Sequence, residues 1–207
     1  MLRPLLEDIT KFASEPRFEE IAKRARQEYD SRVGGVHVDD LSYEIRMINF
    51  MEWLVFDYAW DDSGKTILDI YTEEKGNGSD GQLIAALKSQ TRDIFQVKWS
   101  YDNLVKLDAI YSDKYIIVND PERWETFKKK DVFTGRIVNM GDAWYLTNGV
   151  CVHPSKAARM LKKEMKKYRK TPDFDLKGYL FRLTAMSLKW ERSRNIDVND
   201  IYTPASV

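Results

Sequence analysis

The sequence has few residues that could staple a fold or hold a metal: one cysteine, Cys151, and two histidines in 207 residues. A single cysteine excludes an intramolecular disulfide and a cysteine-rich zinc site, and it is typical of cytoplasmic chains. No apolar run reaches the roughly 18 residues that a membrane-spanning helix needs. We therefore expect a cytoplasmic protein that neither spans a membrane nor binds to one.

Net charge is also absent, because 33 basic residues balance 33 acidic ones. The two signs are nevertheless separated along the chain. Residues 33–81 contain 11 acidic and 3 basic residues, whereas residues 154–207 contain 13 basic and 6 acidic ones. Such separation matters more for partner choice than the total charge. Each segment is expected to bind a partner of opposite charge, or the two segments bind each other.

Residues 1–92 predict a helical N-terminal region. Apolar positions in residues 3–31 follow helical spacing with a break near Pro16, and Gly34 and Gly35 end this part. A long helix of about 20 residues is predicted from Asp39 onward. Shorter helices are predicted to begin at Thr66 and at Ser79.

The residue composition changes at about residue 93, and residues 93–153 predict a β module. Five short runs rich in β-branched and aromatic residues are separated by turn signals, among them Met140-Gly141-Asp142, which is typical of a hairpin. The runs are residues 94–100, 104–112, 114–120, 131–140 and 143–152. Five strands suffice for a small barrel of SH3-like or OB-like type.

Residues 154–207 predict a basic C-terminal region with two helices, residues 154–170 and 173–194, and a loosely structured tail after Arg194. The first helix buries a stripe formed by Ala158, Leu161, Met165 and Tyr168. The predicted fold class is therefore α+β: a helical N-terminal part, a five-stranded barrel and two C-terminal helices.

One short stretch formally resembles a phosphate-binding loop. Ala59-x-x-x-x-Gly64-Lys65-Thr66 has the relaxed spacing of that motif. A working loop needs a buried strand before it and a long helix after it, whereas the preceding residues read as helix and two aspartates would face the phosphates. We interpret Thr66 instead as a helix cap, with Asp69 in the capping-box position. No nucleotide or other cofactor is expected.

Residues 50–71, FMEWLVFDYAWDDSGKTILDIY, resemble a signature found in a poorly characterised group of prokaryotic proteins. In that group a Phe-x-Glu-Trp-x-x-Phe-Asp helix precedes a Gly-x-Thr loop, a short helix and a small β-rich module. Many members carry a zinc-binding, cysteine-rich SEC-C tail, which this chain lacks. The resemblance covers about residues 40–165 and implies a fold but no reaction and no catalytic residues.

Two groups of residues carry side chains of the types found in metal sites or catalytic sites. The carboxylates Glu52, Asp57, Asp61 and Asp62 are weak candidates for holding a divalent metal, although Glu52 and Asp57 lie about 140° apart on a helix. Pairing with backbone groups or basic residues is the preferred interpretation of Glu52 and Asp57, with Asp61 and Asp62 solvated. Cys151 and His153 alternate on a strand, so both point to one side, but no acid accompanies them and a buried structural role is the simpler interpretation.

Aromatic residues of the barrel alternate with cations such as Lys98, Lys106, Lys114 and Arg136. Most of these rings are needed for the core; the alternative is a surface with two or three exposed rings, which small barrels use to stack the bases of single strands. The aromatic residues are Trp99, Tyr101, Tyr111, Tyr115, Trp124, Trp144 and Tyr145.

The basic helix is the clearest functional feature. Residues 154–170 contain eight basic residues against Glu164, a net charge of +7. A face of this kind binds phosphates, docks on the acidic segment, or is merely solvated. The candidate nucleic-acid contacts are Lys156, Arg159, Lys162, Lys163, Lys166, Lys167 and Lys170.

No nucleophile, base and acid set stands out, so we expect a non-catalytic binding protein. The first hypothesis is binding of RNA or DNA, or association with the ribosome, through residues 154–170. The alternative is an adaptor that binds another protein through the acidic segment 33–81 and the barrel aromatics. A metal-dependent hydrolase is third, and the oligomeric state is left open.

Overall fold

The computed structural model describes residues 2–76, 81–141 and 143–204 of the protein. Helices precede and follow a small β-barrel along the chain. This arrangement confirms the predicted α+β class with a helical N-terminal part, a five-stranded barrel and C-terminal helices. None of the helices in these ranges combines the length and hydrophobicity that crossing a bilayer requires. The three-part division at residues 92 and 153 stays a prediction.

The N-terminal region contains five α-helices within the described ranges. They are α1 (Leu2–Ala13), α2 (Glu19–Val33), α3 (Tyr43–Phe56), α4 (Ile67–Lys75) and α5 (Gly81–Lys88), with a 3₁₀ turn at Pro16–Phe18. The predicted start of α3 at Asp39 is wrong, since the helix begins at Tyr43. The Asp40 carboxylate accepts the His37 N–H and pairs with Arg192, and these contacts hold the residues before Tyr43 in turns. Ser79 lies outside the described residues.

The barrel is formed by β1 (Thr91–Tyr101), β2 (Leu104–Ala109), β3 (Lys114–Asn119), β4 (Val132–Asn139) and β5 (Trp144–Leu146). The strands are joined in the order β1-β2-β3-β5-β4, and a β1–β4 pairing closes the ring. All these pairs are antiparallel except β3–β5. This order corresponds to the OB-like alternative. Asp142, in the predicted hairpin turn, lies outside the described residues.

A sixth strand, β6 (Cys151–His153), pairs with the beginning of β4. The sequence predicted one strand over residues 143–152, whereas the chain leaves the sheet between Leu146 and Cys151. The reason is the buried Glu52 carboxylate, which accepts the Thr147 hydroxyl at 2.9 Å and the Gly149 N–H at 2.6 Å. These contacts require the backbone to turn toward α3.

Apolar side chains fill the barrel interior, whereas the outer surface is covered by helices on some strands and left accessible on others. Phe95, Leu107, Val118 and Ile137 are among the residues that fill the interior. Every residue of β4 from Val132 to Val138 is buried, because helices cover the outer surface of this strand. On β2 and β3, by contrast, burial alternates, so their outward side chains are partly or fully accessible.

The C-terminal region contains α6 (Ala158–Tyr168), α7 (Leu176–Arg192) and a short helix, α8 (Val198–Ile201). The stripe predicted for α6 is buried, and Glu164 is buried beside it. The prediction of a loose tail after Arg194 is wrong, since Val198, Ile201 and Tyr202 pack into the core formed with α6 and α7. Asp197 caps α8 by accepting the Asn199 N–H.

Candidate nucleic-acid interface

The basic residues of α6 lie on one side of the helix. At 100° per residue, Arg159, Lys162, Lys163, Lys166 and Lys167 fall within an arc of about 140°. The opposite side is buried against the barrel and α7. Six of the seven predicted contacts are exposed, and Lys162 is half-buried. We call the exposed set the basic face: Lys156, Arg159, Lys163, Lys166, Lys167 and Lys170.

Two other cations of this region are neutralised by the barrel. Lys162 Nζ lies 2.8 Å from Asp108 Oδ2 on β2, and Arg169 pairs with Asp113 in the turn before β3. In the described part of the chain, no residue of the basic face forms an ion pair, and α6 makes none with the acidic segment 33–81. The interpretation that the basic helix docks on the acidic segment is therefore wrong. The two charged segments do contact each other elsewhere, where Arg192 pairs with Asp40 and Lys177 with Asp57.

Glu164 is the one acidic residue among residues 154–170, and its position in the fold explains why it is there. It lies on the buried side of α6, where its Oε2 accepts the Tyr179 hydroxyl of α7 at 2.5 Å. Burial, then this hydrogen bond, raises the pKa of Tyr179. The glutamate thus belongs to the α6–α7 contact and does not lie on the basic face.

Three of the seven barrel aromatics are exposed, all on the outer surface of β1 to β3. The exposed fractions are 38% for Trp99, 74% for Tyr101 and 62% for Tyr115. Leu104 and Ile117 are exposed beside them. We call this surface the ring face: Trp99, Tyr101, Leu104, Tyr115 and Ile117. Tyr111, Trp124, Trp144 and Tyr145 are half-buried, and they contribute to packing.

The cations predicted beside the rings divide into two groups. Lys106 Nζ and Lys98 Nζ lie 4.9 Å and 5.6 Å from the centre of the Tyr115 ring. Arg136, however, is buried and does not belong to the surface. Sequence reasoning did not select Leu104, Ile117 or Asp108, although the alternation of β2 places Leu104, Lys106 and Asp108 on the same side.

The carboxylate group is not assembled as a metal site. Arg136 lies between Glu52 and Asp57, with its Nε 3.6 Å from Glu52 and its Nη2 bonded to Asp57. Burial raises the pKa of Glu52, against the opposing charge of Arg136. Asp61 and Asp62 lie exposed in the following loop. Within the described ranges, no group of three or more histidines, cysteines, aspartates or glutamates could hold a metal.

Cys151 and His153 are both buried, on the same side of β6 as predicted. His153 Nδ1 lies 2.9 Å from the Tyr202 hydroxyl, and burial lowers the pKa of His153 to about 3. A histidine that stays neutral and inaccessible at neutral pH serves packing of the C-terminal tail. Thr66 is the N-cap of α4 with Asp69 completing the capping box, which confirms the interpretation of the phosphate-loop pattern.

The model of a family of unknown function (DUF7986) matches residues 5–177. No curated protein and no solved structure matches the chain. The matched range includes α2 to α5, the whole barrel and α6.

Proposed function

The chain belongs to the family of unknown function DUF7986, and from the geometry of its surface we propose that it is a non-catalytic protein that binds nucleic acid through the basic face. One observation carries the proposal. Six cations lie exposed on α6 and on the residues that directly flank it and, within the described residues, have no ion-pair partner.

A row of unpaired cations is the arrangement that a polyphosphate backbone requires. Each phosphate contact releases a condensed counterion, so affinity is gained from charge without base recognition. The two cations that do pair, Lys162 and Arg169, anchor the helix to barrel carboxylates. Their pairing keeps α6 fixed and leaves the outer cations available.

The proposal is tested by measuring how affinity depends on salt. If all six cations contact phosphates of a single strand, log Kd changes with log salt with a slope of about 4, and affinity falls a few hundred-fold between roughly 50 and 200 mM salt. Replacing Lys163, Lys166 and Lys167 by glutamine should lower the slope to about 2. Fluorescence anisotropy with labelled RNA and DNA oligonucleotides measures both values.

The matched control removes three positive charges elsewhere. Lys11, Lys23 and Lys189 are exposed on α1, α2 and α7, and their replacement by glutamine changes the net charge equally. We expect the control to retain nearly the wild-type slope. Equal effects of the two triple variants, or no binding by the wild type at the lower salt, would refute the proposal.

An adaptor that binds another protein is the competing proposal, and the exposed apolar residues of the ring face favour it. The acidic segment supports it less, because several of its carboxylates are paired within the chain. Asp40 pairs with Arg192, Asp69 with Lys88 and Glu74 with Arg17. Binding of a protein partner with an affinity that does not depend on salt, and without competition from nucleic acid, would favour the adaptor.

We also propose that the chain acts in the cytoplasm, which its single, buried and unpaired cysteine supports, and that the cell is prokaryotic, which the resemblance of residues 50–71 supports. We propose further that residues 50–57 form the helix motif of the prokaryotic group that they resemble, and that related chains combine this motif with SEC-C tails. Phe50 and Trp53 of the motif are core residues, while Glu52 and Asp57 hold Arg136.

A further inference from the structure

We propose that the nucleic acid is single-stranded and that its bases stack on Trp99, Tyr101 and Tyr115 of the ring face. This inference rests on the proposed function and specifies its ligand. It depends on a different part of the molecule, the outer surface of β1 to β3, and can therefore fail on its own.

Trp99 and Tyr101 of the ring face point outward because of a local irregularity in β1. The pairing of β1 with β2 shifts between Val97 and Trp99, so that Val97 pairs with Leu107 and Trp99 with Lys106. Lys98 is the extra residue of this bulge. Bulges redirect side chains, and here the strand changes from a buried Val97 to an exposed Trp99.

The rings lie in successive rows across three strands. Tyr101 is paired with Leu104, Trp99 with Lys106, and Lys106 in turn with Ile117. Rows two residues apart along a strand are separated by about 7 Å. This spacing gives consecutive bases separate surfaces on which to stack.

The charges beside the rings favour a nucleic acid over an apolar protein partner. Lys98 and Lys106 lie within 5.6 Å of the centre of the Tyr115 ring, and any partner that covers the ring also desolvates them. Lys98 Nζ also lies 3.9 Å from Asp108 Oδ2, whereas Lys106 has no ion-pair partner among the described residues. A phosphate backbone neutralises Lys106, whereas an apolar protein surface leaves this cation buried without a partner. Rings with adjacent cations are the usual platform for single strands.

Asp108 of β2 links the ring face to α6. Tyr115 is the cross-strand partner of Asp108, and Asp108 accepts a hydrogen bond from Lys162 of α6. One strand of nucleic acid can therefore contact phosphate-binding cations on α6 and rings on the barrel. A duplex cannot use the rings in this way, because its bases are already stacked on each other.

The test compares ring variants on single-stranded and duplex oligonucleotides of equal length by fluorescence anisotropy. Tyr101→Leu removes the ring, Tyr101→Phe keeps it, and Val152→Ala changes an exposed apolar residue on β6 as a control. We expect Tyr101→Leu to weaken single-strand binding by roughly 5- to 150-fold with an unchanged salt slope. Tyr101→Phe and Val152→Ala should bind nearly as the wild type does, and thermal melting confirms that each variant folds.

The outcomes separate this inference from the proposed function. Duplex binding as tight as single-strand binding, with Tyr101→Leu unaffected and the α6 lysine variant impaired, overturns the inference and leaves phosphate binding by α6 intact. Such a result leaves the ring face to the competing adaptor proposal. Absence of binding to any oligonucleotide overturns both.

Discussion

Replacing Arg136 by methionine removes a buried cation and leaves two buried carboxylates. The side chains of Arg136, Glu52 and Asp57 are 3%, 11% and 8% exposed. Asp57 retains Lys177 at 3.7 Å and Arg92 at 3.9 Å, so the lost charge is felt mainly by Glu52. Methionine occupies much of the aliphatic volume of arginine, and the cost is therefore mainly electrostatic.

The expected loss can be bounded from the neighbouring charges. Removing one partner of a buried ion pair costs about 3–5 kcal/mol. Part is offset, because burial and then the charge of Arg136 lower the pKa of Arg92 to about 10, and this repulsion disappears in the variant. We expect the free energy of unfolding to fall by about 3 kcal/mol, a large part of the roughly 5–15 kcal/mol typical of a domain.

Glu52 makes this loss depend on pH. Burial raises the pKa of Glu52 above its ordinary 4.5, and removing the Arg136 charge raises that pKa further. A carboxyl group whose pKa is higher in the folded state contributes stability below the ordinary pKa and loses it as pH rises through the folded pKa. The deficit of Arg136→Met is therefore expected to be smaller near pH 5 than near pH 8.

Urea unfolding followed by tryptophan fluorescence at both pH values measures this deficit. The double variant Glu52→Gln/Arg136→Met removes the stranded charge and should be more stable than Arg136→Met near pH 8. A wild-type midpoint for Arg136→Met, or an equal deficit at both pH values without recovery in the double variant, would refute the assignment of a structural ion-pair network.

Two further predictions concern other close contacts. A Cβ atom at Gly149 would lie 2.5 Å from Glu52 Oε2, so Gly149→Ala should cost about 1–3 kcal/mol; an unchanged melting temperature would show that the Glu52 contact is not tight. The Arg192 guanidinium lowers the pKa of Asp40 to about 2 from 3.8, so the stability that Asp40 contributes is present above about pH 4 and lost as pH falls toward 2. Asp40→Asn should therefore be less stable than wild type at neutral pH, with the gap closing in acid, whereas Asp39→Asn at the exposed neighbouring position should show no such gap in denaturant unfolding.

The elements that the sequence predicted are those with strong local periodicity. Runs rich in β-branched and aromatic residues, separated by turn signals, indicated the strands β2 and β3, and the stripe from Ala158 to Tyr168 indicated which side of α6 is buried. The basic face followed directly, since the cations occupy the positions between the apolar ones. Local patterns of this kind are independent of the rest of the chain.

The Glu52 contacts had no local signal. Glu52 binds Thr147 and Gly149, which are 95 and 97 residues away, and these contacts divide the predicted fifth strand into β5 and β6. Charge alone suggested that Glu52 and Asp57 pair with basic residues, but it could not select Arg136. Such a partner is determined by how α3 packs on β4.

The exposed rings were likewise beyond local prediction. Seven aromatic residues fall in the barrel, and exposure depends on the bulge at Lys98 and on which strands the helices cover. Helices cover β4 and the first half of β1 but leave the end of β1 and the outer side of β2 and β3 open, so Trp99, Tyr101 and Tyr115 remain accessible. A shift of one residue in the pairing would have reversed the orientation of these side chains.

The most direct test of phosphate binding by α6 is a nuclear magnetic resonance titration of the ¹⁵N-labelled protein with a short single-stranded oligonucleotide. The structure predicts chemical-shift changes in residues 156–170, accompanied by the outward residues of β1 to β3 when bases stack there. Changes confined to the acidic segment 33–81, or none in residues 156–170 at saturation, would contradict the account.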